Sequence, residues 1–515
     1  MKQVQGAQVR SRIRWIEEGE KNTKYFLRLE KHRSASNTIS NLKIGSGRTD
    51  DSTTILGEIR SYYEKLYKQN EPADSNRKIK THFLSDEIFP TLSDEERAEC
   101  DKAISNTELT NALNLLNKDS APGSDGLPPS FYKQFWEKLK APYYKCILQS
   151  IENGELPFTL KRGIITLIHK GKDLDRNDLG NYRPITLTNT DYKIFTKALA
   201  VRLQKVIKTI INKDRIGFVK RRNIASHLRL FDDLAKFLNK TNRIGALIAL
   251  DFSKAFDTLS KRCIEETLDI FSFGPHFKIL VRTVMEGSKS CVQNGGWLSS
   301  WFPTERGIRQ GCPLSPLLFI VAVEILAIKI RNNPEIRGIQ IDENNPESRQ
   351  NHTTKIKQFA DDTTLTMKNE NDIKVAISTV EEFQEFSGLK LNRHKSEGIW
   401  MGSGKHKKGK IQDIPTKRVV KILGVFFSAE SEASILEENW NTKLDNLIRS
   451  IKQWENRNPT LYGKVILAKT LLLSQFSHIL QVLALSQHIL TRINTNVYRF
   501  LWKRKYNNKK CLWEN

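Results

Sequence analysis

The sequence lacks long apolar runs, clustered cysteines and most of the short signatures that announce a reaction by themselves. Its longest apolar stretch, Leu317–Ile328, is interrupted by Glu324. That falls short of the roughly 18 residues a membrane span needs. The start, MKQVQGAQVR, is polar and has no apolar centre of the kind a secretory signal carries. The expectation is a soluble chain that is not secreted by the usual route. Cys100, Cys146, Cys263, Cys291, Cys312 and Cys511 are scattered, with no CxxC or CxxH spacing. A zinc ribbon or knuckle needs clustered ligands and is excluded. Lone cysteines in a long basic chain read as reduced, intracellular thiols. HExxH, GxSxG and GxxxxGKS are absent, which removes support for a metalloprotease, an α/β-hydrolase or a P-loop NTPase.

What the sequence has in excess is positive charge. The 515 residues carry 83 Lys+Arg against 58 Asp+Glu, a net charge of +25. A polyanion, nucleic acid first, is the partner this points to. The charge is uneven: residues 401–515 hold 20 basic and 8 acidic residues, a net +12. The length exceeds one compact core and implies roughly two to four lobes.

Local patterns mix the two periodicities. Residues 1–80 read as amphipathic helices around Trp15, Tyr25, Phe26, Tyr62, Tyr63 and Tyr67, broken at Gly45-Ser46-Gly47. Ser93-Asp94-Glu95-Glu96 has capping-box spacing and predicts a helix start. Ala121–Gly126 is a loop by composition, leading into an aromatic-rich helix near Phe131–Leu139. Ile164–Ile168 and Ala246–Leu250 read as buried strands, 192–211 and 317–330 as helices. Ile356–Met367 reads as a hairpin turning at Asp361-Asp362. Residues 402–410 form a basic, glycine-rich loop, Val419–Phe427 a strand pair around Leu423-Gly424, and the remainder from about Ser434 is helical. Helices and strands without regular βαβ alternation predict an α+β class with a largely antiparallel sheet.

Two carboxylate sites stand out by context. Asp251 ends the apolar strand before it, and Asp361-Asp362 sits at the hairpin tip. Adjacent aspartates repel, so both stay ionised cheaply only in water or on a metal ion. Three carboxylates from two places suit two Mg²⁺ ions about 4 Å apart, which serve an in-line phosphoryl displacement. Asp-Asp alone is uninformative, since Asp50-Asp51 and Asp232-Asp233 also occur and read as solvated faces. Asp257 is expected to cap the following helix. The aromatics Trp440, Trp454, Tyr498 and Phe500 read as core at helical spacing, whereas Trp502, among Arg499, Lys503, Arg504 and Lys505, is placed to face nucleic acid.

Asp251 with an aromatic five residues on, Arg309-Gln310-Gly311-Cys312-Pro313-Leu314-Ser315-Pro316, and Phe359-Ala360-Asp361-Asp362 follow in this order. They resemble the palm motifs of reverse transcriptases. Asn181-Tyr182-Arg183-Pro184-Ile185 with Asp191-Tyr192-Lys193, Gly217-Phe218-Val219, and Gly388-Leu389-Lys390-Leu391-Asn392 with Lys395-Ser396 resemble the non-LTR, LINE-type retrotransposon polymerases. The segment Arg14–Phe26 (RWIEEGEKNTKYF) resembles the stretch joining endonuclease to polymerase in that family.

The resemblance implies a right-hand polymerase: an N-terminal extension over 1–115, fingers and palm over 116–430, and a helical thumb over 431–515. It implies RNA-directed DNA polymerase activity with two Mg²⁺ ions (Mn²⁺ as a substitute). Asp251, Asp361 and Asp362 match the metal-binding aspartates. Lys170 and Arg183 match triphosphate contacts, and Phe252, Phe256, Gln310 and Gly311 match the surroundings of the incoming nucleotide. Phe256 is the aromatic that would collide with a ribose 2′-OH, with a core phenylalanine as the bland alternative. Lys395 matches a proton donor to the leaving pyrophosphate, and Leu423-Gly424 the primer grip. The implied partners are an RNA template, a DNA primer or nicked target, dNTPs and the element's own RNA in an intracellular ribonucleoprotein of nucleus and cytoplasm, with no membrane.

The family pattern also includes an endonuclease and a cysteine-rich end that these 515 residues do not show. Arg215 stands where the family has Gln, and Arg221 where Gly is common; both are expected to bear on template handling. A truncated remnant that only binds RNA or DNA, and a group II intron-type reverse transcriptase, stand as alternatives. The joining segment argues against the second.

Overall fold

The apolar, β-branched runs form strands, and the amphipathic stretches pack over them as helices. The structure is a computed structural model, and it describes residues 38–45, 47–69, 83–84, 87–171, 173–341, 353–407, 409–429 and 432–502. The expected helices around Trp15 and Tyr25 lie outside the described residues, as does the basic stretch after Trp502. The chain divides into two compact units. The first comprises residues 1–211, 254–325 and 383–389; the second comprises 212–253, 326–382 and 390–515.

In the first unit, Arg162–His169 pairs antiparallel with Tyr182–Thr188 and parallel with Lys289–Asn294, which also meets Trp297–Leu298 and Phe302–Pro303. Gly45 closes a small hairpin, Leu42–Ile44 against Gly47–Thr49, where a break between two helices was expected. A helix does follow, Ser52–Tyr67, and Asp51 caps it by accepting the Thr54 N–H at 2.7 Å. Asp51 thus has a structural task that the reading as a solvated face did not give it. Its apolar face, Ile55, Ile59, Tyr63 and Tyr67, packs into a core with Ile165, Leu167, Val292 and Phe302. The capping box at Ser93 and Glu96 forms as expected and starts the helix Asp94–Asp101. The aromatic-rich helix runs over Pro129–Glu152, longer than its sequence signal, and Thr190–Ile210 forms another.

In the second unit, a six-stranded sheet centres on Gly245–Leu250. Asp362–Met367 lies on one side of it and Glu397–Met401 on the other, both antiparallel. The helix Ala225–Thr241 covers this sheet through Leu228, Phe231, Leu234 and Leu238. Within the basic stretch 402–410, Gly402–Gly404 forms a turn and Gly409–Ile411 a strand that pairs with Ile414–Thr416. From Glu432 to Trp502 the chain is mostly helical, with Trp440, Leu447, Phe476, Val497 and Phe500 in one core and Trp454 packed against it. Trp502 is half exposed. Among the described residues no helix is long and apolar enough to cross a membrane.

Candidate active site

The carboxylate site of the second unit is built on its central strand. Gly245–Leu250 is flanked on both sides, with Leu250 facing Thr363 and Ala249 facing Glu397. A one-residue slip would turn its buried side chains to the opposite face and break both ladders. Asp251, the next residue, therefore emerges at a fixed place and is exposed. One step beyond the Thr363–Leu250 pair, the ladder brings Asp362 alongside Asp251.

The hairpin turns one residue earlier than the sequence suggested. Phe359 pairs with Asp362, so Ala360 and Asp361 form the two-residue turn. Asp361 stands at the tip and Asp362 begins the returning strand. Ala360 has φ 54°, a conformation that turns of this length usually assign to glycine. The preceding chain holds it there. Arg215 is fully buried and donates to the Ala360 carbonyl at 3.1 Å and to Gln358 Oε1. Ile216 N–H donates to the Gln358 carbonyl at 3.0 Å, and Gln358 N–H to the Asp214 carbonyl at 2.9 Å. Gly217 approaches so closely that a Cβ would stand 2.3 Å from the Ala360 nitrogen.

Arg215 therefore has no surface on which to meet a template; it acts on the carboxylate turn. Arg221 has φ 67°, which gives a backbone reason for glycine to be common at that position.

A second clamp holds Asp251. Its N–H donates to Ser396 Oγ at 3.0 Å, and its carbonyl accepts from Asn392 N–H at 2.8 Å. Ser396, fully buried, donates its hydroxyl to the Asn392 carbonyl at 2.8 Å. Asn392 and Ser396 appeared in the sequence only as parts of a motif; here they lock the backbone that carries the first carboxylate. Lys395, between them, is exposed, and its N–H donates to Asn392 Oδ1 at 3.2 Å.

The electrostatics bear on a cation. Desolvation first, then the negative charges of Asp361 and Asp251, push the Asp362 carboxyl up to about 6. The residue's surface is open, while its carboxyl is crowded by protein atoms and by the two other acids. Three acids close enough to repel one another favour a bound cation. Among the described residues no group of three or more His, Cys, Asp or Glu side chains is placed to hold a metal ion by itself. Mg²⁺ is usually held by one or two carboxylates together with substrate phosphates, and an open acidic group of this kind fits that mode.

The other expected residues of this unit have different surroundings. Phe252 is buried and pairs across to Leu391. Leu423 and Gly424 form the turn of the hairpin Val419–Ile422 and Val425–Ser428, with φ 49° and 85°. His478 Nε2 donates to the Leu423 carbonyl at 2.9 Å. The Asn439 side chain bonds both N–H and C=O of Phe426.

The first unit holds the remaining expected residues. Lys170 follows the strand Arg162–His169; its Nζ donates to the Gly180 carbonyl at 3.0 Å. Arg183 is exposed, across the ladder from Ile168. Phe256 is half-buried and stacks on Phe319, with ring centroids 4.5 Å apart and 13° between planes. Gly311 is exposed with φ 129°, and a Cβ there would stand 2.4 Å from the Thr186 carbonyl oxygen. Glycine at 311 is thus required by protein backbone.

Asp257 does not cap the next helix. Ser260 does so, accepting the Cys263 N–H at 3.4 Å. Asp257 is buried, accepting from the Tyr67 hydroxyl at 2.8 Å and from Gln310 Nε2 at 3.2 and 3.3 Å. Burial pushes its carboxyl up to about 6, against the hydrogen bonds and the charges of Lys254 and Lys170.

The family described as reverse transcriptase (RNA-dependent DNA polymerase) matches residues 168–427. The chain belongs to the reverse transcriptase family. The match spans Asp251, Asp361, Asp362 and both clamps. The transposon TX1 uncharacterized 149 kDa protein of Xenopus laevis is 29% identical over 515 residues, covering 98% of this chain and 38% of that protein. The retrovirus-related Pol polyprotein from type-2 retrotransposable element R2DM of Drosophila melanogaster is 27% identical over 289 residues, 56% of this chain and 26% of its own length. The RNA-directed DNA polymerase from mobile element jockey, also of Drosophila melanogaster, is 27% identical over 233 residues, 42% and 24% of the two chains. Within the reverse transcriptases the chain is thus of the non-LTR, LINE-type kind. It spans well under half the length of these relatives. Membership implies the polymerase fold, and the helices with largely antiparallel sheets agree with it. Reverse transcriptases use divalent metal ions, the kind of cation an open acidic group suits.

Proposed function

We propose that this chain is the RNA-directed DNA polymerase of a non-LTR retrotransposon, copying RNA into DNA by nucleotidyl transfer. The observation that carries the reading is the acidic group itself. Asp251 and Asp362 are held side by side, with Asp361 at the adjoining turn, by two backbone clamps, and burial together with the acidic neighbours disfavours the charge on Asp362.

Asp251 and Asp361, with Asp362 beside them, would hold two Mg²⁺ ions. When bound, the ions supply activation of the primer 3′-OH and charge neutralisation on the triphosphate. Arg183 and Lys170 bind phosphate oxygens, arginine through its planar fork. Phe256 presents a ring edge against a ribose 2′-OH, held by its stack on Phe319. Lys395 gives a proton to the leaving pyrophosphate. Leu423 and Gly424 hold the primer end. The basic helical region that begins near residue 431 serves as a thumb on the RNA–DNA duplex, through backbone contacts and not base reading. Residues 116–430 are then fingers and palm, and 1–115 an extension. In the cell the template is the element's own RNA, in a ribonucleoprotein of nucleus and cytoplasm, and synthesis starts from a nicked chromosomal target.

The test is primer extension by the purified chain on a primed RNA template. Incorporation that follows the template, requires added Mg²⁺ or Mn²⁺ and stops with chelator is the expected result. No incorporation by folded protein would return the chain to a remnant that only binds nucleic acid.

A further inference from the structure

Asp257 is a carboxylate buried in the first unit, outside the acidic group described above. It is 1% exposed. An ionised carboxylate accepts hydrogen bonds and donates none. Both of its oxygens lie within reach of Gln310 Nε2, so the NH₂ end of the Gln310 amide faces Asp257 and the oxygen end faces away. The reverse orientation would set oxygen against oxygen. Asp257 thereby fixes which end of the Gln310 amide is presented to its surroundings.

Asp257 is itself held by Tyr67, whose hydroxyl donates to Oδ1 at 2.8 Å. Burial keeps that hydroxyl protonated, well above the usual tyrosine range. Tyr67 ends the helix Ser52–Tyr67 and is anchored there several times. Its carbonyl accepts from the N–H groups of Glu305 and Arg306 at 3.1 and 3.2 Å, and the Leu66 carbonyl accepts from Arg306 Nε at 2.8 Å. Its ring stacks on Phe302. These residues begin the segment that runs through Gly307 and Ile308 to Gln310. The helix lies outside the 168–427 span that matches the family, yet its last residue is joined through Asp257 to Gln310.

We propose that Tyr67 and Asp257 are positioning residues that orient the Gln310 amide for the incoming nucleotide, so that the helix Ser52–Tyr67 takes part in nucleotide binding. The proposal rests on the reverse transcriptase reading above. Neither residue touches the nucleotide; both act through Gln310.

The experiment is steady-state dNTP incorporation on a primed RNA template by the whole chain, by Tyr67→Phe, by Gln310→Ala and by the double variant. Tyr67→Phe removes one hydroxyl and keeps the ring stack. It is expected to raise KM for dNTP about five-fold or more with kcat within about twofold, while the hydrogen bond lost to a buried carboxylate lowers the thermal midpoint by a few degrees. In the Gln310→Ala background the same substitution is expected to add nothing, the mark of two residues acting through one contact. Asp257→Asn puts a donor where an acceptor stood and gives an independent arm with the same rise in KM. An unchanged KM in Tyr67→Phe and Asp257→Asn, or full additivity in the double variant, overturns the proposal while leaving the polymerase reading intact. No incorporation by the unaltered chain overturns both.

Discussion

The buried guanidinium of Arg215 donates to the carbonyl of Ala360, the residue whose positive φ swings the chain into Asp361. The carboxylate tip is thus held in an unfavourable backbone conformation by a side chain 145 positions earlier. A non-glycine residue in the left-handed region costs roughly 1–2 kcal/mol, and the hydrogen bonds from 214–217 to the hairpin offset it.

Gly217→Ala is expected to disrupt this clamp. The added Cβ would meet the Ala360 backbone nitrogen at 2.3 Å, and backbone cannot rotate away as a side-chain tip can. A loss on the order of 1–3 kcal/mol in urea unfolding is expected, with extension activity falling further than the stability loss explains. An unchanged rate in the folded variant would detach the turn's geometry from catalysis.

Ser396→Ala leaves the Asp251 N–H without its acceptor. The expected cost is about 1–2 kcal/mol, and the loss of activity should appear in kcat while RNA affinity stays level. Filter binding alongside single-turnover extension separates the two quantities. An equal fall in both would make Ser396 a general packing residue.

Phe256→Ala is expected to lower the preference for dNTP over rNTP by about tenfold or more, about 1.4 kcal/mol of discrimination. Its ring is half-buried on Phe319, so some stability will be lost as well. Competition between the two nucleotides at one template position reads selectivity independently of the amount of folded enzyme. An unchanged ratio would return Phe256 to the core.

His227 gives the second unit a pH dependence. It is buried, and desolvation, with the nearby charge of Lys357 next, holds its imidazole down to about 3. A free histidine titrates near 6.5. Between those values the unfolded chain binds the proton and the folded chain does not, so the stabilisation is complete above about 6.5 and is lost as pH falls towards 3. The full loss is on the order of 5 kcal/mol. Urea unfolding at pH 7.5, 6.0 and 5.0 should show declining stability, with a shallower slope in His227→Phe. Parallel slopes would assign the decline to other groups.

Elements with strong local patterns were legible before the structure. The apolar strand ending at Asp251, the Ser93 capping box and the Leu423-Gly424 turn all carry their signals within a few residues. The Asp361–Asp362 turn was displaced by one position, because Ala360 takes a conformation its side chain gives no reason to expect; contacts from Arg215 and Gly217 impose it. Asp257 was assigned to a helix cap on local grounds, since no short-range signal joins it to a tyrosine 190 positions earlier. The same holds for His478, 55 positions from the carbonyl it bonds. Long-range hydrogen bonds leave no periodicity behind. The residues that position the site were therefore missed or seen only as motif letters, while the residues that bear its charge stood out.

The most direct measurement compares the unaltered chain with Asp361→Ala on one primed RNA template with Mg²⁺, recording extension and RNA binding on the same preparations. The expected result is extension by the unaltered chain, loss of at least about a thousandfold in the variant, and RNA affinity within about twofold, since phosphate contacts elsewhere carry it. Equal extension by both proteins would contradict the assignment of Asp361 to a metal-dependent polymerase site.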